Sequence, residues 1–230
     1  LIDNVTLTYT GNQLTKADDA VATISLAESN DFKNYVNTAT EYTYNKNGAM
    51  TKDFNKGISA IQYNSLNLPQ VMLISHPTAK AKNYYTYSAS GVKLRTEERY
   101  APSLVVVPVL KTGPANDGLN EYKRTQCAGN ISYEDRTSGS AVTNKTRILI
   151  DGGYIENNQY HFYLADHLGN NRVVANASGT AVQKNHYYPF GMPYAETSIT
   201  EQAKQPYKFG DKELDQMHGL NHYDFSARYM

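Results

Sequence analysis

The chain has 230 residues, 40% of them hydrophobic, and balances 22 Lys plus Arg against 22 Asp plus Glu. That length holds one large β domain or two small ones, and the apolar share suffices for a core. Zero net charge excludes the long-range field that draws a chain to nucleic acid or to an anionic membrane, so no nucleic-acid partner is expected.

The aromatic set is 20 Tyr, 6 Phe and no Trp, a bias that favours strands, where a ring packs and its hydroxyl reaches water. The single cysteine, Cys127, excludes an internal disulfide and reads as a small half-buried thiol on a strand. The longest apolar run, "SLVVVPVL" at 103–110, falls short of the roughly 18 residues of a membrane span and contains Pro108. The first residue is Leu1, which reads as the start of a mature or excised segment with any signal peptide upstream.

In chain order, "LTYTGNQL" (7–14) predicts a hairpin with Gly11-Asn12 at its tip, and the polar stretch 18–33 a long loop. "YTYNKNGAM" (42–50), "YTYSASGVKL" (85–94) and "VVANASGTAV" (173–182) then repeat one pattern: a strand, a few small polar residues, Gly, and a returning strand. Gly48, Gly91 and Gly179 hold the same place, where a hairpin loop built on a type I turn needs positive φ. "IQYNSLNLPQVMLI" (61–74) is a variant turn closed by Pro69, and "ILIDGGYI" (148–155) is a hairpin with Asp151, Gly152 and Gly153 at its tip. Residues 101–126, with Pro102, Pro108, Pro114, Gly113 and Gly118, read as a linker or excursion. It separates repeat hairpins at 1–100 from a second segment at 127–230. "SITEQAK" (198–204) predicts the one short helix, capped by Ser198 with Glu201 completing a capping box.

Tyr42 and Tyr44 are two residues apart and share a strand face, as do Tyr85 and Tyr87. These rings are expected to pack the core of the repeat; the alternative is an exposed platform that stacks sugars. His161, Asp166, His167 and His186 have the right chemistry for a metal site, but adjacent strand residues point to opposite faces. Asp166-His167-Leu168-Gly169 therefore reads as a turn in which Asp166 bonds backbone amides. His218 and His222 have a helical ligand spacing, but Gly219 and Asn221 argue against a helix. No metal or cofactor is expected. Pro189 in "YYPFG" (187–191) marks a strand end, Phe190 is expected to plug the core, and Gly191 to take positive φ. Arg172 is expected to clamp a carboxylate such as Asp166 or Glu213.

The Tyr-Asn/Ser hairpins resemble YD repeats. The ordered set Asp166, His167, Leu168, Gly169, Arg172, Tyr188, Pro189, Phe190, Gly191, Gly219, Leu220 and Tyr223 resembles the Rhs-repeat-associated core, in a style similar to Bacteroides-type copies. The resemblance implies an all-β fold of repeated antiparallel hairpins, here an open curved sheet that forms part of a shell. It also implies a location on the cell surface or outside the cell. Self-cleavage in that family uses an Arg that Arg228 matches, together with two downstream Asp residues. The chain ends at Met230 without them, so self-cleavage is not expected.

The resulting expectation is a non-catalytic structural fragment, a wall that encloses or displays a partner. The partners implied are the remainder of a longer Rhs chain or a C-terminal toxin. The alternative partner is a glycan on Tyr42, Tyr44, Tyr85 and Tyr87, and a lesser alternative is a self-cleaving core. The strands near 5–9 and 223–230 are the expected free edges, through which copies would associate.

Overall fold

A computed structural model of the chain describes residues 4–21, 32, 34–76, 79–101, 118–194 and 204–225. Among these the secondary structure is nineteen strands and three short 3-10 turns. Strands β3 to β15 follow one another in chain order as an antiparallel thirteen-stranded sheet, and three two-stranded sheets, β1-β2, β16-β17 and β18-β19, stand apart from it. The all-β class and the succession of antiparallel hairpins are as expected. The chain forms two compact units: Leu1–Ile24 with Asp31–Thr125 and Asp135–Thr143, and Ser25–Asn30 with Gln126–Glu134 and Asn144–Met230.

The first unit begins with β1 (Val5–Thr10) and β2 (Gln13–Asp19), paired across the Gly11-Asn12 tip. It continues through β3 (Tyr42–Tyr44), β4 (Met50–Asp53), β5 (Ile58–Tyr63), β6 (Pro69–His76), β7 (Ala79–Tyr87) and β8 (Lys93–Tyr100). Ile58, Met72, Ile74 and Ala81 are buried, and Ile74 faces Ala81 across the β6-β7 ladder. Period-two alternation carries Ala81, Asn83 and Tyr85 onto one packed face of β7. The first hairpin is tied to β3 by buried Glu41. Its Oε2 accepts from the Ala17 amide at 3.0 Å and from Asn55 Nδ2 at 2.8 Å, while its own amide donates to the Thr15 carbonyl at 2.8 Å.

Next in the chain come β9 (Glu121–Ala128), β10 (Ile131–Ser138) and β11 (Ala141–Ile150). Of the stretch 101–126, residues 102–117 lie outside the described residues, and β9 has begun by Glu121. The helix expected at 198–204 has all but Lys204 outside the described residues, and of the long loop expected at 18–33, residues 22–31 and 33 do too.

In the second unit β12 (Gly153–Glu156), β13 (Gln159–Ala165), β14 (Asn171–Asn176) and β15 (Ala181–Lys184) continue the meander. They are followed by β16 (His186–Tyr187), β17 (Pro193–Tyr194), β18 (Glu213–Asp215) and β19 (His222–Asp224). Alternation along β13 sorts its residues into two faces. His161 and Tyr163 lie on the packed side, where the buried Tyr154 ring stacks on His161 at 4.5 Å. The Arg147 guanidinium lies 4.4 Å from the Tyr154 ring centroid on this side. Tyr160, Phe162 and Leu164 on the opposite side remain 49%, 45% and 56% exposed.

Candidate functional site

One turn recurs through the chain, and Asp166 and His167 belong to a copy of it. At Asn45 the side-chain Oδ1 accepts from the Asn47 and Ala49 amides, both at 2.9 Å. The Asn45 amide donates to the Ala49 carbonyl, and the Gly48 amide donates back to Asn45. The same pattern is built on Asn64, Asp166 and Asn176, and on Ser88, whose hydroxyl accepts from Val92. A short polar side chain that mimics a backbone acceptor makes such a turn locally. Pairing slips by one residue where each of these turns begins, between Thr43 and Tyr44, Gln62 and Tyr63, Thr86 and Tyr87, Leu164 and Ala165, and Val174 and Ala175, as a positive-φ residue in a hairpin loop requires. Gly48, Gly91 and Gly179 have φ of 78°, 83° and 81°, as expected, and Asn67 takes the place at 57°.

At the 166–170 turn the carboxylate does more than close the loop. Asp166 Oδ2 accepts from Asn170 Nδ2 at 3.0 Å and from Arg172 Nε at 2.8 Å, and the Leu168 and Asn170 amides donate to Oδ1. These bonds, led by the Asn170 side chain, hold the carboxyl well below the usual carboxylate range. A carboxylate so fully occupied is a poor proton donor or base. Of the two partners offered for Arg172, Asp166 is the one it meets, and the guanidinium also lies 5.2 Å from the centroid of the Tyr187 ring.

The neighbouring asparagine joins this turn to the 204–225 return. Asn171 Nδ2 donates to the Tyr207 carbonyl at 3.0 Å and to Asp211 Oδ1 at 3.1 Å. Its carbonyl accepts from Asn185 Nδ2 and from the Tyr187 hydroxyl. Gln183 pairs with the backbone of Gln205 at both ends of its amide. Enclosed among these groups is Lys208, fully buried, with Nζ 3.3 Å from Asn185 Oδ1. Burial alone lowers its pKa to about 7. Sequence reasoning missed this lysine; its one visible signal is a cation in the aromatic run "PYKFG" (206–210).

Phe190 corrects the expectation of a core plug: it is 94% exposed. Pro189 sets the entry, and positive φ at both Phe190 (70°) and Gly191 (91°) turns the ring outward. The ring that packs here is that of the half-buried Phe209, 5.7 Å from Tyr187 and 6.1 Å from Tyr223, while the Tyr223 hydroxyl donates to the Gly191 carbonyl at 2.9 Å.

Tyr42 and Tyr85 are buried at 7% and 4% exposure, and Tyr44 and Tyr87 are half-buried. Tyr42 and Tyr85 therefore pack as expected of core rings, while Tyr44 and Tyr87 keep part of their surface open. His167 is exposed at the turn tip. His218 lies in a 3-10 turn and His222 on β19, not on one helix face. Among the described residues no three of His, Cys, Asp or Glu group as metal ligands. Cys127 is half-buried on β9, and Arg228 lies outside the described residues.

No protein-family model and no curated protein matches the chain. Solved structures do. The crystal structure of TcdB2-TccC3-Cdc42 aligns with a TM-score of 0.64 and 14% identity over 99% of this chain and 10% of its own. The Photorhabdus luminescens Tc holotoxin pore carrying a TccC3 mutation aligns at 0.61 and 15%, again over 99% of this chain and 10% of its own. The crystal structure of TcdB2-TccC3 aligns at 0.57 and 15%, over 75% of this chain and 8% of its own. At these identities the likeness is one of fold: the chain has an Rhs-like β-repeat fold. It spans about a tenth or less of the length of the chains it matches.

Proposed function

We propose that this chain is a length of non-catalytic β-repeat wall from a surface or secreted protein of the Rhs/YD-repeat kind, related to Bacteroides-type copies, and that the wall encloses or displays a partner. The recurring Asn/Asp/Ser turn carries the reading. The polar side chains that resemble a site are engaged in holding hairpins, and the hairpins follow one another in the way a repeat wall is extended. The fold likeness to Tc toxin chains about ten times longer supports a larger chain around this one. So does the β13 face bearing Tyr160, Phe162 and Leu164, an apolar row left open to a neighbour.

Electron microscopy of the longest natural protein that contains this sequence tests the reading. The expected result is strands β3 to β15 within a longer continuous wall, with Tyr160 and Phe162 against the density of an enclosed or displayed partner. A separate, closed domain on a stalk, or specific glycan binding that is lost on replacing Tyr42 and Tyr85 by Phe, overturns it.

A further inference from the structure

We propose that Lys208 and Asn185 join through an intramolecular isopeptide bond, an amide between Lys208 Nζ and Asn185 Cγ that staples the 204–225 return to the end of β15. The side chains of Lys208, Asn185 and Gln183 are held together by the backbone of Gln205 and Asn171. Lys208 and Asn185 are 0% and 1% exposed, and Nζ stands 3.3 Å from the amide oxygen. That same oxygen accepts from Gln183 Nε2 at 2.9 Å, and Gln183, 2% exposed, is held by the Gln205 backbone. The amide nitrogen donates to the Asn171 carbonyl at 2.8 Å, which fixes the orientation of the group.

Each contact matches a need of the reaction. The nucleophile must be a neutral amine, and burial brings this lysine to that state near neutrality. Nζ shifts from the oxygen onto the adjoining carbon, and its lone pair forms the new C–N bond. The carbonyl π pair moves onto Oδ1, where the Gln183 amide donor meets the developing charge. The intermediate collapses as the bond from Cγ to Nδ2 breaks. A proton passes from Nζ to Nδ2, and the nitrogen leaves as ammonia. No oxidant or cofactor enters the balance. Exclusion of water keeps hydrolysis from competing, and holding both groups in one core replaces a bimolecular encounter by a fixed contact.

The whole chain tests the proposal, after incubation at about pH 9, below the ordinary lysine pKa but above that of a buried one. Intact mass is expected to fall below the sequence mass by one ammonia. Peptide mapping is expected to yield a branched peptide that joins the Asn185 and Lys208 fragments. The rate is expected to drop about tenfold per pH unit below the lysine pKa, as one deprotonation demands. Lys208→Arg and Asn185→Ala should each restore the sequence mass. Because the wild-type chain is itself the readout, a variant that fails to fold does not spare the proposal. A wild-type chain that keeps its full mass overturns it. So does ammonia loss without a branched peptide, the signature of succinimide formation at an asparagine.

Discussion

The Phe209 ring lies directly over Gly191: a Cβ built on that glycine would stand 2.6 Å from Cγ and Cδ1 of the ring. The two residues lock the 189–191 turn against the 204–225 return, and the Tyr223 hydroxyl bond to the Gly191 carbonyl closes the contact.

Gly191→Ala is therefore expected to be among the more damaging glycine substitutions. It sets a side chain at φ 91° and against an aromatic ring. Positive φ costs about 1–2 kcal/mol and overpacking about 1–3 kcal/mol, so a loss of roughly 2–5 kcal/mol is expected in urea unfolding. Gly48→Ala is the control: its φ is 78° with nothing within 4 Å, so only the backbone cost applies. Equal losses at the two positions would remove the role given to Phe209.

Phe190→Gly is expected to stabilise the chain. The ring is 94% exposed and sits at φ 70°, so glycine relieves the backbone and gives up little packing. A gain of up to about 1 kcal/mol follows from the cost of left-handed backbone, offset in part by the added freedom of the unfolded chain. A clear fall in the unfolding midpoint would show that the ring makes a contact this fold does not account for.

Asp166 should leave a signature in acid. Its folded pKa lies below the unfolded value of about 3.9. Its contribution is therefore fully present above that value and is lost as pH falls through the folded pKa. Asp166→Asn keeps an acceptor of the kind used at Asn45, Asn64 and Asn176 but loses the charge opposite Arg172. The wild type should melt higher than this variant at neutral pH, with the gap closing below about pH 4. Asp166→Ala, which also loses the turn acceptor, should melt lower than Asp166→Asn. A gap that widens in acid would contradict the assignment.

The β1 strand should associate. Val5, Leu7 and Tyr9 are 38%, 49% and 54% exposed on one face, and among the described residues β1 pairs with β2 alone. With no net charge to oppose contact, an edge of this kind pairs with another chain or with a second copy. Sedimentation should show mass rising with concentration, and Leu7→Lys should abolish the rise. A monomer at all concentrations would mean that this edge carries no association.

The sequence by itself determined the class, the hairpins and their turns. The chemistry of each turn is enclosed in five residues: Asn45, Asn64, Asp166 and Asn176 bond amides two and four positions on, and a positive-φ residue follows three positions after each. No distant contact is needed to read that. The tertiary structure alone decided which side of a strand is covered. Period two places Tyr42 with Tyr44 on one face, but only the packing of the unit buries Tyr42 and half-covers Tyr44. It also decided that Phe209 rather than Phe190 packs against Tyr187 and Tyr223, because two successive positive-φ residues turn the Phe190 ring outward and a segment distant in sequence supplies the partner. The burial of Lys208 was likewise beyond the sequence. A lysine is ordinarily expected in water, and this one stays inside because hydrogen-bonding groups on Gln183 and Asn185, far from it in the chain, surround the place where its side chain ends.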